Sequence, residues 1–205
     1  MPKEKIKENR IYVFIDAENT RNAAEDSGHE DLDYKKLLNW IHKKKIVKTY
    51  IYVGIEQGDS LKINKFNELA KTGYIVQQKS VMAYKQEPVL IPTTCPSCRN
   101  NFYRKYYIKD KKKANCDSEL TLDAVKTGME NEYDEVMFFT GDGDFCSLME
   151  YIATDLKKKV IVVSASGLRT SSKIKELASK GIVKFQNLEG LFEFYATPLP
   201  HVSRN

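Results

Sequence analysis

Two apolar runs in this sequence end in acids. I-Y-V-F-I over residues 11–15 leads directly into Asp16, and a later stretch, F-F-T-G-D-G-D-F, carries Asp142 and Asp144. Continuous β-branched and aromatic runs are strands buried on both faces, as in a parallel sheet. Open α/β sheets gather function just beyond the C-terminal ends of such strands. A carboxylate placed there loses hydration, and converging carboxylates repel one another. A divalent cation resolves both problems, and Mg²⁺ or Mn²⁺ takes oxygen ligands, often one or two carboxylates with several waters. Between these runs, D-S-E-L-T-L-D-A offers Asp117, Glu119 and Asp123. Glu119 and Asp123 are four apart and share a helix face, whereas Asp117, six from Asp123, joins them only from an N-cap. Asp123 is an acid inside an apolar stretch, which favours a functional role. Asp117 and Asp144 read equally well as helix caps, and Glu119 reads as solvated or ion-paired.

The four cysteines are too few for a disulfide scaffold in a chain of 205 residues. Cys95 and Cys98 form one C-P-S-C knuckle, two of the four ligands that a structural zinc wants. Cys116 offers a third, and His42, Asp110 or a second chain, making a homodimer, would have to close the set. Free thiols in a reducing cytosol are the plainer alternative. Beside the knuckle, Phe102, Tyr103, Arg104, Lys105, Tyr106 and Tyr107 lead into Lys109 and then Lys111, Lys112 and Lys113. Aromatics for bases and lysines for phosphates are how single-stranded RNA is held. An amphipathic strand whose tyrosines pack on the domain explains the same pattern.

The elements that must position these residues alternate along the chain. After the first strand comes a polar loop containing Gly28. A helix then carries Tyr34, Leu37, Leu38 and Ile41, capped by Asp33. Val47–Val53 reads as a strand, Leu61–Lys71 as a helix stopped by Gly73, and Tyr74–Val81 as a strand. Residues 85–113, with three of the six prolines, break the rhythm as an insertion or β-hairpin. Alternation resumes with helix Asp117–Met129, strand Glu135–Thr140, helix Asp144–Leu156, strand Lys159–Ser164, helix Ser171–Ser179 and strand Ile182–Phe185. Right-handed crossovers then give a three-layer α/β/α sandwich with a mainly parallel sheet, in one domain over 1–205.

Composition agrees with a folded, soluble chain. Hydrophobic residues make up 41 % and charged residues 30 %, with 12 Tyr, 9 Phe and 1 Trp, which excludes a disordered protein. No apolar run reaches the roughly 20 residues of a membrane span, and the first ten residues lack a signal-peptide core. A cytoplasmic location is expected. The net charge of +5 is compatible with a polyanionic partner without demanding one. The clusters at Lys43–Lys45, Lys109–Lys113 and Lys157–Lys159 also read as solvated helix faces or ends.

V-F-I-D-A-E-N-T-R-N, D-S-E-L-T-L-D-A, F-F-T-G-D-G-D-F, S-S-K-I-K-E-L-A and K-F-Q-N-L-E, in this order, resemble the NYN domain of the PIN-like nuclease superfamily, the family of LabA-like bacterial proteins. The resemblance covers most of residues 11–190. It implies a Rossmann-like fold and a Mg²⁺- or Mn²⁺-dependent nuclease acting mainly on RNA. Carried over by position, it implies a catalytic set of Asp16, Asp117, Asp123, Asp142 and Asp144. Asp16, Asp123 and Asp142 are expected to hold metal, and Asp117 or Asp144 to hold a second ion or orient the attacking water. Asn19 and Thr140, the latter where the family often has serine, are expected at the substrate, with Lys111, Lys112 and Lys113 on its phosphates. Two departures are that the family's acid near the end of the last helix is Ser179 here, and that 85–113 has no counterpart in the minimal domain.

Two other functions fit parts of the pattern. A haloacid-dehalogenase-type phosphatase also uses strand-end acids, but its second acid two residues on is Glu18 here, and Asn19 fits it poorly. A non-cleaving RNA-binding or regulatory module of the same fold would keep the acids without turnover. Dinucleotide chemistry is disfavoured because G-D-G-D-F-C lacks the third glycine of that fingerprint. A serine or cysteine hydrolase is disfavoured too, since His29, His42 and His201 lie near no nucleophile motif.

Overall fold

A computed structural model describes residues 9–26, 29, 31–43, 46–108, 111–114, 116–165 and 169–187, with the side chains of 41–43, 46–47 and 111–113 left aside. Gly28, Lys44, Lys45, Lys109, Asp110, His201 and the end of K-F-Q-N-L-E therefore lie outside the described residues, as do the side chains of Ile41, His42, Lys43, Val47, Lys111, Lys112 and Lys113.

Six strands form the central sheet: β1 (Ile11–Asp16), β2 (Ile46–Ile55), β3 (Tyr74–Ser80), β8 (Glu135–Phe139), β9 (Lys159–Ser164) and β10 (Lys184–Asn187). Their spatial order is β10-β9-β8-β1-β2-β3, and every pairing is parallel. Period-two alternation divides the strand residues between two cores. Val13, Ile15, Ile51, Val53 and Phe139 face α1 (Ala17–Asp26), α2 (Tyr34–Lys43) and α3 (Ser60–Ala70). Tyr12, Phe14, Tyr50, Tyr52 and Phe138 face α4 (Asp117–Met129), α5 (Cys146–Thr154) and α6 (Ser172–Ser179). The result is the three-layer α/β/α sandwich that the alternation predicts. Among the described residues, no helix is long and apolar enough to cross a membrane.

The sequence reading departs from the structure in four places. The segment after Asp16, expected as a polar loop, is helix α1. Its inner face is Ala17, Thr20, Ala23 and Ala24, small residues that bury at helical spacing but carry little hydrophobic signal. The helix expected from Asp144 begins instead as a 3-10 turn, Gly143–Phe145, capped by Asp142, so Asp144 is not the cap. Asp117 is not a cap either: Cys116 holds that position and Asp117 opens the helix. The last strand starts at Lys184 rather than Ile182, after Gly181 at φ 71° turns the chain. Ser179, where the family has an acid, ends α6 with its hydroxyl donating to the Glu176 carbonyl at 2.8 Å.

Residues 82–108 and 111–113 form an arm. At its root, β4 (Met82–Tyr84) pairs antiparallel with β7 (Lys111–Lys113); beyond it, β5 (Val89–Thr94) and β6 (Asn101–Tyr106) make a hairpin that turns through the two cysteines. The insertion reading thus resolves into a two-tier hairpin. Gly54 in β2 receives both of its ends: a Cβ there would overlap the Ala114 Cβ and press on Val81.

Phe14 sits at the middle of the α4–α6 side, fully buried, with ring centroids of Tyr50 at 5.0 Å and Phe138 at 5.6 Å. Phe14→Ala empties that position and is expected to cost about 3–5 kcal/mol in urea unfolding.

Candidate active site

The helices after β1 and β8 leave toward opposite faces of the sheet, so a crevice opens between the C-terminal ends of these adjacent strands. Asp16 stands at this switch point. No loop separates it from α1, and its Oδ1 accepts the Asn19 backbone N–H at 3.1 Å, as an N-cap does. Its Oδ2 accepts the Thr140 hydroxyl at 3.3 Å. Thr140, itself buried, also accepts the backbone N–H of Asp142 at 3.2 Å. The Asn19 Oδ1 accepts the Gly141 N–H at 2.7 Å, tying the start of α1 to the loop after β8. Asn19 and Thr140, expected at the substrate, are thus first of all the parts that align the two strand ends.

The G-D-G-D loop is held by close contact. A Cβ on Gly141 would overlap the Arg169 carbonyl and the Ser164 hydroxyl, and one on Gly143 would overlap the Ser171 hydroxyl. The Gly141 carbonyl in turn accepts the Ser171 N–H at 2.9 Å. So seated, the half-buried Asp142 lies near enough for its charge to act on Asp16. Asp144 is exposed, and its N–H donates to Asp142 Oδ1 at 2.9 Å.

The acids meet electrostatically at Asp16. Burial pushes its carboxyl from 3.8 up to about 6; the charges of Asp117 and Asp142 push the same way, against the hydrogen bonds from Asn19 and Thr140. Asp117 arrives on the first turn of α4. Asp123, expected as a metal ligand, sits roughly 9 Å farther along that helix at 1.5 Å per residue. Its Oδ2 accepts the Tyr52 hydroxyl at 2.8 Å, a bond that together with burial raises the tyrosine's pKa. The charges of Asp117 and Asp142 thus reach Asp16, while Asp123 has a tyrosine partner. Glu119 pairs with Lys79 at 2.6 Å, one of its two expected readings.

A hollow of about 620 Å³ adjoins the site, and Asp16, Tyr52, Cys116, Asp117, Lys62 and Lys65 are among its lining. Asp142 is not part of its lining. Tyr52, Lys62 and Lys65 were not singled out by sequence; Tyr52 had a signal in its register, since it lies directly beside Asp16 across β1 and β2.

A hard divalent cation fits these residues. The leading influences on Asp16 are burial, two neutral hydrogen bonds and two neighbouring carboxylates, with no cation among them. Among the described residues, no three His, Cys, Asp or Glu side chains are gathered at ligating distance. One or two carboxylates completed by water is the mode Mg²⁺ favours. The cysteines do not gather as three: Cys116 lines the hollow, where burial pushes its thiol up to about 11, while Cys95 and Cys98 are at the arm's turn.

This strand order, with acids converging at its switch point, defines a PIN-like α/β/α protein. The NYN domain matches residues 10–184, and the chain belongs to that family, one made up generally of nucleases, with RNA the usual substrate. It is 25 % identical over 199 residues to the low amplitude and bright protein LabA of Synechococcus elongatus, covering 95 % of this chain and 93 % of that protein. The crystal structure of a protein of unknown function from Vibrio parahaemolyticus shares the fold at a TM-score of 0.62 and 19 % identity, covering 90 % of this chain and 96 % of that one.

The raised Asp16 pKa makes a stability prediction. Folding favours the protonated carboxyl, so this stabilisation is complete below about 3.8 and is lost as pH rises through about 6. With divalent ions chelated, Asp16→Asn, which keeps the cap, is expected to raise the melting temperature at pH 8 by on the order of 5 °C. The gain should shrink to nothing near pH 4 in a calorimetric series.

Proposed function

We propose that this protein is a divalent-metal-dependent ribonuclease that hydrolyses phosphodiester bonds of single-stranded RNA. The observation that supports it best is a half-buried carboxylate, Asp16, flanked by the charges of Asp117 and Asp142 at the switch point of the sheet. Asp16 with one neighbouring carboxylate, from Asp117 or Asp142, would hold Mg²⁺ or Mn²⁺, with water completing the shell. Bound there, the ion supplies a Lewis acid that neutralises charge developing on the phosphodiester and makes hydroxide available at neutral pH.

The chain's own residues do the rest. Asn19, its carbonyl oxygen taken by Gly141, has its amide N–H groups to offer a phosphoryl oxygen. Thr140 fixes Asp16 and the Asp142 backbone in one arrangement, so the carboxylates need not reorganise as charge builds. Lys62 and Lys65 line the hollow through which an RNA strand would pass, Lys65 being also paired with Asp31 at 2.6 Å. Lys111, Lys112 and Lys113 lie on β7, the strand leading from the arm toward α4, and are assigned to the RNA backbone.

Single-stranded RNA incubated with the protein and Mn²⁺ should be cut, and EDTA or Asp142→Ala should abolish the cutting. Binding without cleavage would favour the regulatory module; hydrolysis of p-nitrophenyl phosphate lost in Asp16→Asn would favour the phosphatase.

The placement of the α4 acids sharpens the test. Asp117→Asn is expected to lower the cleavage rate by about 100-fold or more, the scale of losing one electrostatic contact at the reacting group. Asp123→Asn, at a carboxylate that already accepts the Tyr52 hydroxyl, should cost less than about 10-fold, as read in single-turnover assays.

A further inference from the structure

The arm carries a second chemistry, unrelated to the acids. Its hairpin turns through Cys95-Pro96-Ser97-Cys98-Arg99-Asn100, and the turn is tightly specified. The Cys95 N–H donates to the Asn100 carbonyl at 2.9 Å, the Arg99 N–H donates to the Cys95 carbonyl at 2.9 Å, and Arg99 adopts φ 60°. The backbone N–H groups of Cys98 and Ser97 hydrogen-bond the Cys95 sulfur. Cys98 is exposed beside it.

Two thiolates do not close a zinc site, which takes four ligands in a structural role. Among the described residues, no third ligand accompanies them. Six paired positions from Val89↔Tyr106 to Thr94↔Asn101 carry the turn about 17 Å beyond the hairpin's base at 3.4 Å per residue. The same arm leaves apolar surface uncovered. Val89, Ile91, Phe102 and Tyr106 share one face of the hairpin by register, and each is at least 42 % exposed. A hairpin of two strands is marginal in water unless something packs on it. One occupant satisfies both shortages, because a twofold axis at the turn brings two more thiolates and an identical apolar face.

We propose that Cys95 and Cys98 are half of a four-thiolate zinc site completed by the same pair from a second copy, so that zinc clasps two chains through their arms.

The test is zinc content and light-scattering mass of the full chain, purified in reductant. About one zinc per two chains and the mass of a dimer are expected. A strong chelator should remove both together, which needs no variant and so leaves folding out of the question. Cys98→Ser should do the same, while Cys116→Ser keeps both. Co²⁺ in place of zinc should give the visible absorption of a tetrahedral thiolate site. Metal-free reduced protein, zinc at one per chain in a monomer, iron in the native site, a dimer that survives chelation, or a Cys95–Cys98 disulfide in place of metal would each overturn the proposal. So would a monomer whose RNA affinity falls with Tyr103→Ala, which would assign the arm to RNA.

Discussion

An acid at the inner end of a parallel strand is the constraint around which this molecule is arranged. Asp16 cannot be hydrated freely where it stands, since β2 and β8 flank its strand. One oxygen is therefore given to the first turn of α1 and the other to Thr140. Both donors are neutral and leave the charge itself uncompensated. The positive end of α1 helps, but Asp117 and Asp142 work against it. What results is a carboxyl that is least comfortable when ionised, at neutral pH and above.

The loop after β8 shows how such an arrangement is kept from relaxing. Two carboxylates near Asp16 would swing apart if the backbone allowed it. Gly141 and Gly143 let that backbone lie against residues 169–171 more closely than any side chain permits, and Asn19 fastens it from the opposite side. The glycines of G-D-G-D serve steric contact here rather than a left-handed backbone. Asn19, Thr140 and the two glycines thus form one brace, whose members differ in chemistry but share the task of fixing the distance between strand ends.

Much of this was legible in the residues. The strand runs, the acids that end them and the alternation with helices predict the sheet and its reactive edge, because burial on both faces leaves an unbroken apolar signature. Helix α1 was not legible, since its buried face is alanine and threonine and its cap is the same aspartate that reads as a ligand. The different surroundings of Asp117 and Asp123 were hidden as well. Spacing along a helix says which residues share a face, but Tyr52, which holds Asp123, comes from a strand 71 positions away. The three-cysteine grouping failed for a related reason: Cys98 and Cys116 are near in sequence, yet β6 and β7 run back from the turn between them and carry the chain away from it.

The way the arm joins the body has a consequence for the history of the chain. Val81 and Ala114 come together over Gly54, so departure and return occupy one spot on the sheet. A segment whose two ends nearly touch can be swapped, lengthened or trimmed as a cassette, and the loop-closure cost changes only slowly with its size. Relatives could then carry arms of quite different make on an unaltered α/β/α body, and selection could act on the two parts separately.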